Sequence, residues 1–199
     1  MKLRFSPTSP FVRKVRAVAV ATGLDSRVES VRTETTDPSW WGDNPLGKVP
    51  ALITDEGKAL IDSPVICEYL DSLHDGPKVF PPDGEARWTA LQNQALADGI
   101  MDACVSCYQE MRRPDGERSA GWIERQRGKV DRTVATLEAE AASLEGDPDI
   151  GNIAVGCALG YIDLRMPDFD WRASAPRLAN WYEGFAKNPF MTETEPPPA

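Results

Sequence analysis

Two short segments of the chain carry residue types that could bind a small peptide. In the first, residues 44–52, a proline precedes apolar residues of β type. Because proline cannot donate a hydrogen bond to a sheet, we expect Pro50 at the entrance of a strand, with an extended Val49 before it. We predict a cis Val49–Pro50 bond. We also expect the backbone N–H and C=O of Val49 to point outward, where an extended peptide could pair with them.

The second segment, Asp62-Ser63-Pro64, combines a carboxylate with a predicted helix start. We predict Asp62 as the end of a strand, Ser63 as the N-cap and Pro64 as the first helical residue. The free N–H groups at the start of a helix attract an anion, and here one aspartate lies beside them. Together the two segments predict a site for a small peptide that carries both a carboxylate and an ammonium group.

Ser9, which precedes Pro10, is a candidate of another kind. A serine before a proline at a helix start is most often only an N-cap. A hydroxyl at that position, helped by the helix dipole and neighbouring N–H groups, could also hold a thiol in its thiolate form. Arg13 and Lys14 place positive charge against the dipole preference, which indicates either an acidic neighbour or a nearby need for positive potential. Thr8 is the rival hydroxyl.

Composition narrows the classes of function. The 31 acidic and 22 basic residues among 199 give a net charge of −9, which argues against nucleic acid or an anionic membrane as the partner. No apolar run is long enough to span a membrane, and the first residues alternate like a strand instead of forming a signal peptide. We therefore expect a globular cytoplasmic protein.

Four cysteines and one histidine raise the question of metal or redox chemistry. Cys104 and Cys107 have the C-x-x-C spacing, but they lie within a long helical pattern, whereas redox pairs of this spacing begin a helix after a strand. A zinc site would need a second close pair, and His74 has no cluster of ligands around it. We expect free thiols at Cys67, Cys104, Cys107 and Cys157, with no metal and no cofactor.

The elements that would position these residues follow from periodicity and turn signals. The first half of the chain predicts strands at 2–5, 28–31, 51–54 and 59–62, and helices at 10–22 and 64–73. Residues 75–84 hold three prolines and two glycines, which is typical of a linker. Beyond them only helical periodicity occurs, at 85–113, 117–144, 152–165 and 176–186, before an extended tail at 193–199. The predicted domains are 1–76 and 86–199, joined by a linker at 77–85.

Several segments, taken together in chain order, resemble one family, the soluble bacterial glutathione S-transferases. The matching segments are Ser9-Pro-Phe-Val-Arg-Lys14, 44–52, Asp62-Ser63, 96–102, 152–165 and 176–182, which together span nearly the whole chain. The resemblance implies an α/β thioredoxin-like N-terminal domain followed by an all-α C-terminal helical domain. It also implies glutathione as a co-substrate, with no separate cofactor.

The resemblance implies a catalytic role for Ser9, whose hydroxyl would stabilise the glutathione thiolate. Phe11 would lie in the glutathione site, and Lys48 would lie near the glycine carboxylate of glutathione. The backbone of Val49, before Pro50, would contact the cysteinyl unit. These roles are carried over from the family by position in the matching motifs.

The resemblance also assigns the two ends of the γ-glutamyl unit. Asp62 would hold its ammonium group, and the Ser63 hydroxyl and the helix N-terminus would hold its carboxylate. Many family members have Glu or Gln where this chain has Asp62, and a water could bridge the shorter side chain.

Asp98 matches an aspartate that, in some classes of the family, reaches across a two-fold dimer to the ammonium group of glutathione in the partner's site. That role would require a C2 homodimer. Asp102 lies one helical turn later, so the two carboxylates share a helix face and repel each other. The alternative is that both aspartates pair with arginines at a dimer or domain interface.

Two further expectations come from the resemblance. The family usually caps its helix at 152–165 with Ser or Thr and places Asp three residues on; here Asn152 keeps the cap and Val155 replaces the aspartate, so we expect half of a capping box. The apolar pocket for a second substrate is poorly specified, and each candidate is more often a core or interface residue. The pocket candidates are Phe11, Trp40, Trp41, Met101, Tyr108 and Met111.

The leading hypothesis is a glutathione transferase that conjugates the thiolate to small apolar electrophiles, as in detoxification. One alternative is reduction of peroxides by the same thiolate. Another is a non-catalytic module that binds glutathione or a protein, since a fold alone does not determine a function.

Overall fold

A computed structural model describes residues 1–198 of the chain. These residues form two compact units. The first comprises Met1–Pro82 together with Asn188–Pro197, and the second comprises Asp83–Lys187. We refer to them as the sheet unit and the helical unit.

The sheet unit is built on four strands and two helices. The strands are β1 (Lys2–Phe5), β2 (Glu29–Arg32), β3 (Ala51–Ile53) and β4 (Ala59–Leu60), and the helices are α1 (Pro10–Ala21) and α2 (Ser63–Ser72). The sheet has the order β2-β1-β3-β4, in which only the β1–β2 pair is parallel. This βαβ unit followed by a ββα unit confirms the thioredoxin-like architecture.

The core of the sheet unit lies where the sequence periodicity places it. Leu3 and Leu52 face each other across the β1–β3 pair, and both are fully buried. Helix α1 contributes Val15 and Val18 to this core, and α2 contributes Leu70. Each such side chain contributes about 1.5–3 kcal/mol by leaving water. All predicted strands and helices of this unit lie within two residues of the observed bounds.

The linker segment is held against the end of α2 by a buried carboxylate. Asp71 accepts hydrogen bonds from the backbone N–H of Val79 at 2.8 Å and of Phe80 at 3.4 Å. The Lys78 ammonium donates to the Asp71 carbonyl at 2.6 Å. These contacts fix a proline-rich stretch that has no regular secondary structure of its own.

The helical unit contains α3 (Gly84–Met111), α4 (Ala120–Ala139), α5 (Ile150–Arg165), α6 (Trp171–Ser174) and α7 (Pro176–Phe185). Helix α5 is buried along almost its whole length and packs on α3. At Gly151 the two helices approach so closely that a Cβ would lie 2.7 Å from the Ala90 carbonyl oxygen. The all-α architecture predicted for this part of the chain is confirmed.

Two local predictions for the helical unit were wrong. Helix α4 ends at Ala139, and a separate 3-10 turn covers Ala141–Leu144, so one continuous helix over 117–144 does not form. Helix α5 begins one turn earlier than predicted, with Asp149 as its N-cap. The Asp149 carboxylate accepts from the Asn152 N–H at 2.9 Å, and the Asn152 side chain accepts from the Asp149 N–H at 2.9 Å. The capping box is therefore complete.

The C-terminal segment differs from the expected single domain at 86–199. A short helix, α8 (Pro189–Thr192), belongs to the sheet unit and packs against α1. Beyond it the Thr194 hydroxyl donates to the Phe190 carbonyl at 2.6 Å, and residues 195–198 have no regular structure. The last residue of the predicted tail, 199, lies outside the described residues. None of the helices in the described chain is long and apolar enough to cross a membrane.

Candidate functional site

The register of the sheet brings the predicted site segments to one edge. Because β1 and β3 are antiparallel, Arg4 near the end of β1 pairs with Ala51 at the start of β3. The start of β3 in turn lies beside the end of β4, where Leu52 pairs with Leu60. Residues 6–9, 48–50 and 61–63 extend from these strand ends. The sheet thus places all three segments at the same edge.

Ser9 lies at this edge as the N-cap of α1, as predicted. Its Oγ accepts a long hydrogen bond of 3.4 Å from the Val12 N–H. Within residues 1–198 the hydroxyl hydrogen of Ser9 has no protein acceptor, so it is available to a ligand. The first turn of α1 contains no acidic residue that would cancel the positive end of the helix dipole. Thr8, the rival hydroxyl, is half-buried beside it.

The loop before β3 is held by a buried asparagine. Asn44, which is 2% exposed, donates from Nδ2 to the Lys48 carbonyl at 2.7 Å, and its Oδ1 accepts from the Leu46 N–H at 3.0 Å. Gly47 completes the turn with a φ of 61°. The sequence motif included Asn44, but we predicted no role for it. The position of Asn44 between a polar loop and a strand was the sequence signal that could have indicated this role.

Val49 and Pro50 follow from this loop. The Val49–Pro50 bond is cis, which confirms the prediction. In the described part of the chain neither the N–H nor the C=O of Val49 has a backbone partner, which agrees with the expectation that both are open to a ligand. Pro50 is buried, and the Lys48 side chain is exposed.

The start of α2 differs from the prediction by one residue. Asp62 is the N-cap, and its carboxylate accepts a hydrogen bond from the Ser63 N–H, so Ser63 is the first helical residue and Pro64 the second. The Ser63 side chain is 0% exposed, and its Oγ has no hydrogen-bond partner in the structure. A buried hydroxyl without a partner costs about 1–3 kcal/mol, so this oxygen is suited to a group supplied from outside the chain.

The two cations at the start of α1 are not surface side chains. Lys14 is fully buried, and Arg13 is half-buried. An Arg13 Nη2 donates to the Met191 carbonyl of α8 at 3.1 Å, while its Nε is buried without a partner. The partner that residues 1–198 provide for Arg13 is therefore a backbone carbonyl. Arg13 ties the C-terminal segment to α1, a contact that no local sequence pattern signals.

The pocket candidates separate into two groups. Trp40 and Met101 belong to the cores of their units, because they are 3% and 0% exposed, and the Trp40 indole donates to the Glu34 carbonyl at 2.9 Å. The other four candidates are at least partly accessible to solvent. Phe11 and Tyr108 are half-buried, and Trp41 and Met111 are exposed.

The cysteines and the histidine have structural surroundings. All four cysteines are buried thiols, and none of them forms a disulfide within the described residues. Burial raises the pKa of Cys104 to about 12 and also raises the pKa of Cys107, so neither forms a thiolate readily near neutral pH. His74 Nε2 lies 3.3 Å from an Asp71 carboxylate oxygen. Residues 1–198 contain no group of three or more His, Cys, Asp or Glu side chains that could hold a metal ion.

Asp98 lies on α3 in the helical unit and is half-buried. Asp102, one turn later, is exposed. Both side chains have interactions within the chain. The role of Asp98 across a dimer stays a prediction.

A small mixed sheet with a thioredoxin-like order, followed by an all-helical unit, is the glutathione transferase fold. The sequence pattern of the glutathione S-transferase N-terminal domain matches residues 3–78, and that of the C-terminal domain matches residues 120–184. An uncharacterized GST-like protein of Escherichia coli (strain K12), YibF, is 35% identical over 202 residues that cover 100% of both chains.

Solved structures agree over the whole chain. A glutathione transferase family member from Pseudomonas fluorescens Pf-5 with bound glutathione is 45% identical, with a TM-score of 0.96 and 98% of each chain covered. A structure from the same organism with bound S-(propanoic acid)-glutathione is 45% identical with a TM-score of 0.92, covering 99% of this chain and 100% of the other. The chain belongs to the glutathione S-transferase family.

Proposed function

We propose that the protein binds glutathione at the edge of the sheet where residues 6–9, 48–50 and 61–63 meet, and transfers it to small apolar electrophiles. The observation that carries this proposal is the buried Ser63 hydroxyl, which has no partner at the start of α2. A carboxylate accepting from this hydroxyl and from the free N–H groups of the helix would satisfy it. The γ-glutamyl end of glutathione carries such a carboxylate, and its ammonium group would face Asp62.

The remaining parts of the tripeptide have complementary groups at the same edge. The unpaired N–H and C=O of Val49 suit the cysteinyl unit, because an extended peptide can pair with both. The exposed ammonium of Lys48 suits the glycine carboxylate. Asn44 holds the shape of this loop through its bonds to Lys48 and Leu46. We assign Pro50 and Phe11 to the walls of the same site.

The proposed chemistry requires the bound thiol to ionise near neutral pH. A free thiol has a pKa of about 8.5, and lowering it by about two units needs roughly 2.7 kcal/mol of extra stabilisation of the thiolate. One or two charge-assisted hydrogen bonds in a water-poor site can supply that amount. The unused hydroxyl hydrogen of Ser9, at the positive end of α1, is placed to donate one of them.

Two bound ligands of relatives support this proposal. One family member was solved with glutathione, and another structure holds S-(propanoic acid)-glutathione, in which the sulfur carries an organic group. Conjugation of a thiolate to an electrophilic carbon would give a product of that kind. We further propose that the protein acts in the cytoplasm as a homodimer, in which Asp98 completes the partner's site.

The first test removes the Ser63 hydroxyl. Ser63→Ala should weaken glutathione binding by roughly ten- to a hundred-fold, since a hydrogen bond to a charged group contributes about 1.5–3 kcal/mol. Isothermal titration calorimetry measures this affinity. Ser72→Ala is the matched control, because Ser72 lies at the other end of α2 and its hydroxyl donates to the Tyr69 carbonyl at 2.7 Å.

The same preparation distinguishes the activities. Wild-type protein should conjugate glutathione to a chloronitroarene faster than it reduces an organic hydroperoxide. Equal glutathione affinity in wild type and Ser63→Ala would contradict the proposed site. Glutathione binding without either activity would assign the protein to the non-catalytic module instead.

A further inference from the structure

One buried side chain closes the loop that leads into β3 of the sheet unit. Asn44 makes three hydrogen bonds in this loop. Its Nδ2 donates to the Lys48 carbonyl at 2.7 Å, its Oδ1 accepts from the Leu46 N–H at 3.0 Å, and its own carbonyl accepts from the Gly47 N–H at 2.9 Å. The first two bonds need a donor atom and a separate acceptor atom on one short side chain. Asparagine provides both, whereas an ionised aspartate provides only acceptors.

Polar bonds hold this loop in place of apolar packing. Asn44 is 2% exposed, whereas Leu46, in the middle of the loop, is 66% exposed and so adds little burial. The loop has a second anchor at Asp43, whose carboxylate accepts from the Arg4 Nε at 2.9 Å and lies 2.8 Å from the Arg4 Nη2. Arg4 lies on β1, which pairs with β3. The loop is therefore tied to the sheet through Asp43 and closed by Asn44.

The bond from Asn44 to Lys48 fixes the direction of the next donor along the chain, the N–H of Val49. The Lys48–Val49 peptide bond is trans. In a planar trans peptide the C=O and the N–H point in opposite directions. Because Asn44 holds the Lys48 carbonyl on the buried side of the loop, the Val49 N–H points away from Asn44. No group within residues 1–198 accepts from this N–H.

We propose that Asn44 is a positioning residue for glutathione, which acts by aiming the Val49 N–H at the carbonyl of the cysteinyl unit. This inference rests on the proposed function, in which that unit pairs with the backbone of Val49. Asn44 acts through Val49 because its own side-chain atoms are engaged within the loop. A hydrogen bond weakens steeply as its angle departs from linear, so the orientation of this peptide plane controls the strength of the bond to the ligand. A plane that is held before binding also lowers the entropy cost of binding.

Asn44→Asp tests the bond from Nδ2 alone. The new carboxylate keeps the size of the side chain and can still accept from the Leu46 N–H, but it has no hydrogen to donate to the Lys48 carbonyl. The ligand is S-methylglutathione, whose sulfur cannot ionise, so that a change of pH does not act through a thiol. At pH 8 calorimetry should find roughly ten-fold weaker binding to the variant than to wild type, which corresponds to about 1.4 kcal/mol.

Lowering the pH should restore binding by the same variant. Burial raises the pKa of a carboxyl group, so the group introduced by Asn44→Asp takes up a proton in mildly acidic solution. Of the charged side chains adjoining this loop, Arg4 and Asp43 are paired with each other, and the Lys48 side chain is exposed. The protonated carboxyl has an O–H that can donate to the Lys48 carbonyl, as the amide of asparagine does. The ratio of wild-type to variant affinity should therefore fall from about ten at pH 8 toward unity at about pH 5.

The matched control is Asn93→Asp in the helical unit. Asn93 is also 2% exposed, and its Nδ2 donates to the Ser143 Oγ at 3.3 Å. This variant loses a buried amide donor of the same kind, so any effect of reduced stability appears in it as well. Its affinity for S-methylglutathione should equal that of wild type at both pH values. Equal weakening in Asn93→Asp and Asn44→Asp would overturn the proposal, because the loss would then reflect stability alone.

A second measurement on wild-type protein needs no variant. In isotopically labelled protein, nuclear magnetic resonance should show that the Val49 amide proton shifts downfield and exchanges more slowly with solvent when S-methylglutathione is bound, because it then donates to the ligand. In Asn44→Asp saturated with the same ligand at pH 8, the shift should be smaller. An unchanged Val49 amide signal in saturated wild-type protein would overturn the proposal, whether or not the variant folds.

The inference and the proposed function fail in different ways. If wild-type protein binds neither glutathione nor S-methylglutathione, the proposed function is contradicted, and this inference with it. If wild-type protein binds both ligands and Asn44→Asp binds S-methylglutathione equally well at both pH values, the role of Asn44 alone is contradicted.

Discussion

At the scale of single residues, the Ser9 oxygen has two roles that are compatible. As an N-cap it uses a lone pair to accept from the Val12 N–H, at 3.4 Å. As a thiolate donor it would use the hydroxyl hydrogen, which no group in the described chain accepts. The cap bond is long, so the hydroxyl can turn toward a ligand without losing a strong interaction.

Ser9→Ala should therefore separate catalysis from binding. Turnover should fall by roughly ten- to a thousand-fold, because a donor to the developing thiolate is lost, while glutathione affinity stays within a few-fold. Thr8→Ala, the neighbouring hydroxyl, is the control and should retain activity. Stopped-flow measurement of the bound thiol's pKa should show a higher value in Ser9→Ala. Full activity of Ser9→Ala with loss in Thr8→Ala would transfer the role to Thr8.

The cap at Ser9 could be predicted because every part of its signal is local. Whether Asp62 or Ser63 is the N-cap of α2 could not be predicted, because both residue types are good N-caps. It depends on where β4 ends, and β4 ends at Leu60 because pairing with β3 stops there. The unpartnered state of Ser63 is likewise a property of packing, which no motif contains.

At the scale of elements, the start of α5 shows why the capping prediction failed. The spacing of Asn152 and Val155 indicated an incomplete box, but the helix begins a turn earlier. Ile150 and Gly151 are buried, with Gly151 against α3, so tertiary contacts decide the helix start. Asn152 then serves as the third helical residue, and its Nδ2 donates to the Leu144 carbonyl at 2.9 Å.

Gly151→Ala should destabilise the helical unit in spite of alanine's better helix propensity. The new Cβ would lie 2.7 Å from a backbone oxygen of Ala90 and 2.8 Å from the Asn93 Cβ, so the helices must separate. Overpacking of this kind costs about 1–3 kcal/mol, which exceeds the gain of about 0.5–1 kcal/mol from removing a helical glycine.

The control for this prediction is Gly184→Ala in α7, where a Cβ would meet nothing within 4 Å. The free energy of unfolding of the Gly184→Ala variant should equal that of the wild type or be slightly higher. Urea denaturation followed by circular dichroism measures both variants. A Gly151→Ala protein as stable as wild type would mean that the α3–α5 contact can widen at no cost.

At the scale of the whole molecule, the sequence predicted two units, but it did not predict how the chain ends. The sequence prediction assigned the residues after 186 to the helical domain, with an extended tail at 193–199. Instead α8 packs on α1, held by the Arg13 bond to the Met191 carbonyl. That contact joins residues 178 positions apart, and periodicity cannot signal a contact at such a separation.

Assembly is the remaining property at this scale, and a hybrid dimer tests it. If Asp98 completes the partner's site, a dimer of one Ser63→Ala subunit and one Asp98→Asn subunit has one intact site and one site with both defects. If Asp98 acts within its own subunit, both sites have a single defect. We expect the first case. Calorimetry on hybrids purified with two different affinity tags should therefore find that half of the sites have wild-type affinity for glutathione.

The two parent homodimers and an Asp102→Asn/Ser63→Ala hybrid are the controls. Asp98→Asn alone should weaken glutathione binding while sedimentation still shows a dimer, because a C2 interface buries far more than one side chain. Asp102 is exposed one turn away from Asp98, so Asp102→Asn removes the same charge from the same helix. A monomer at micromolar concentration, or a hybrid in which neither site has wild-type affinity, would remove Asp98 from the partner's site.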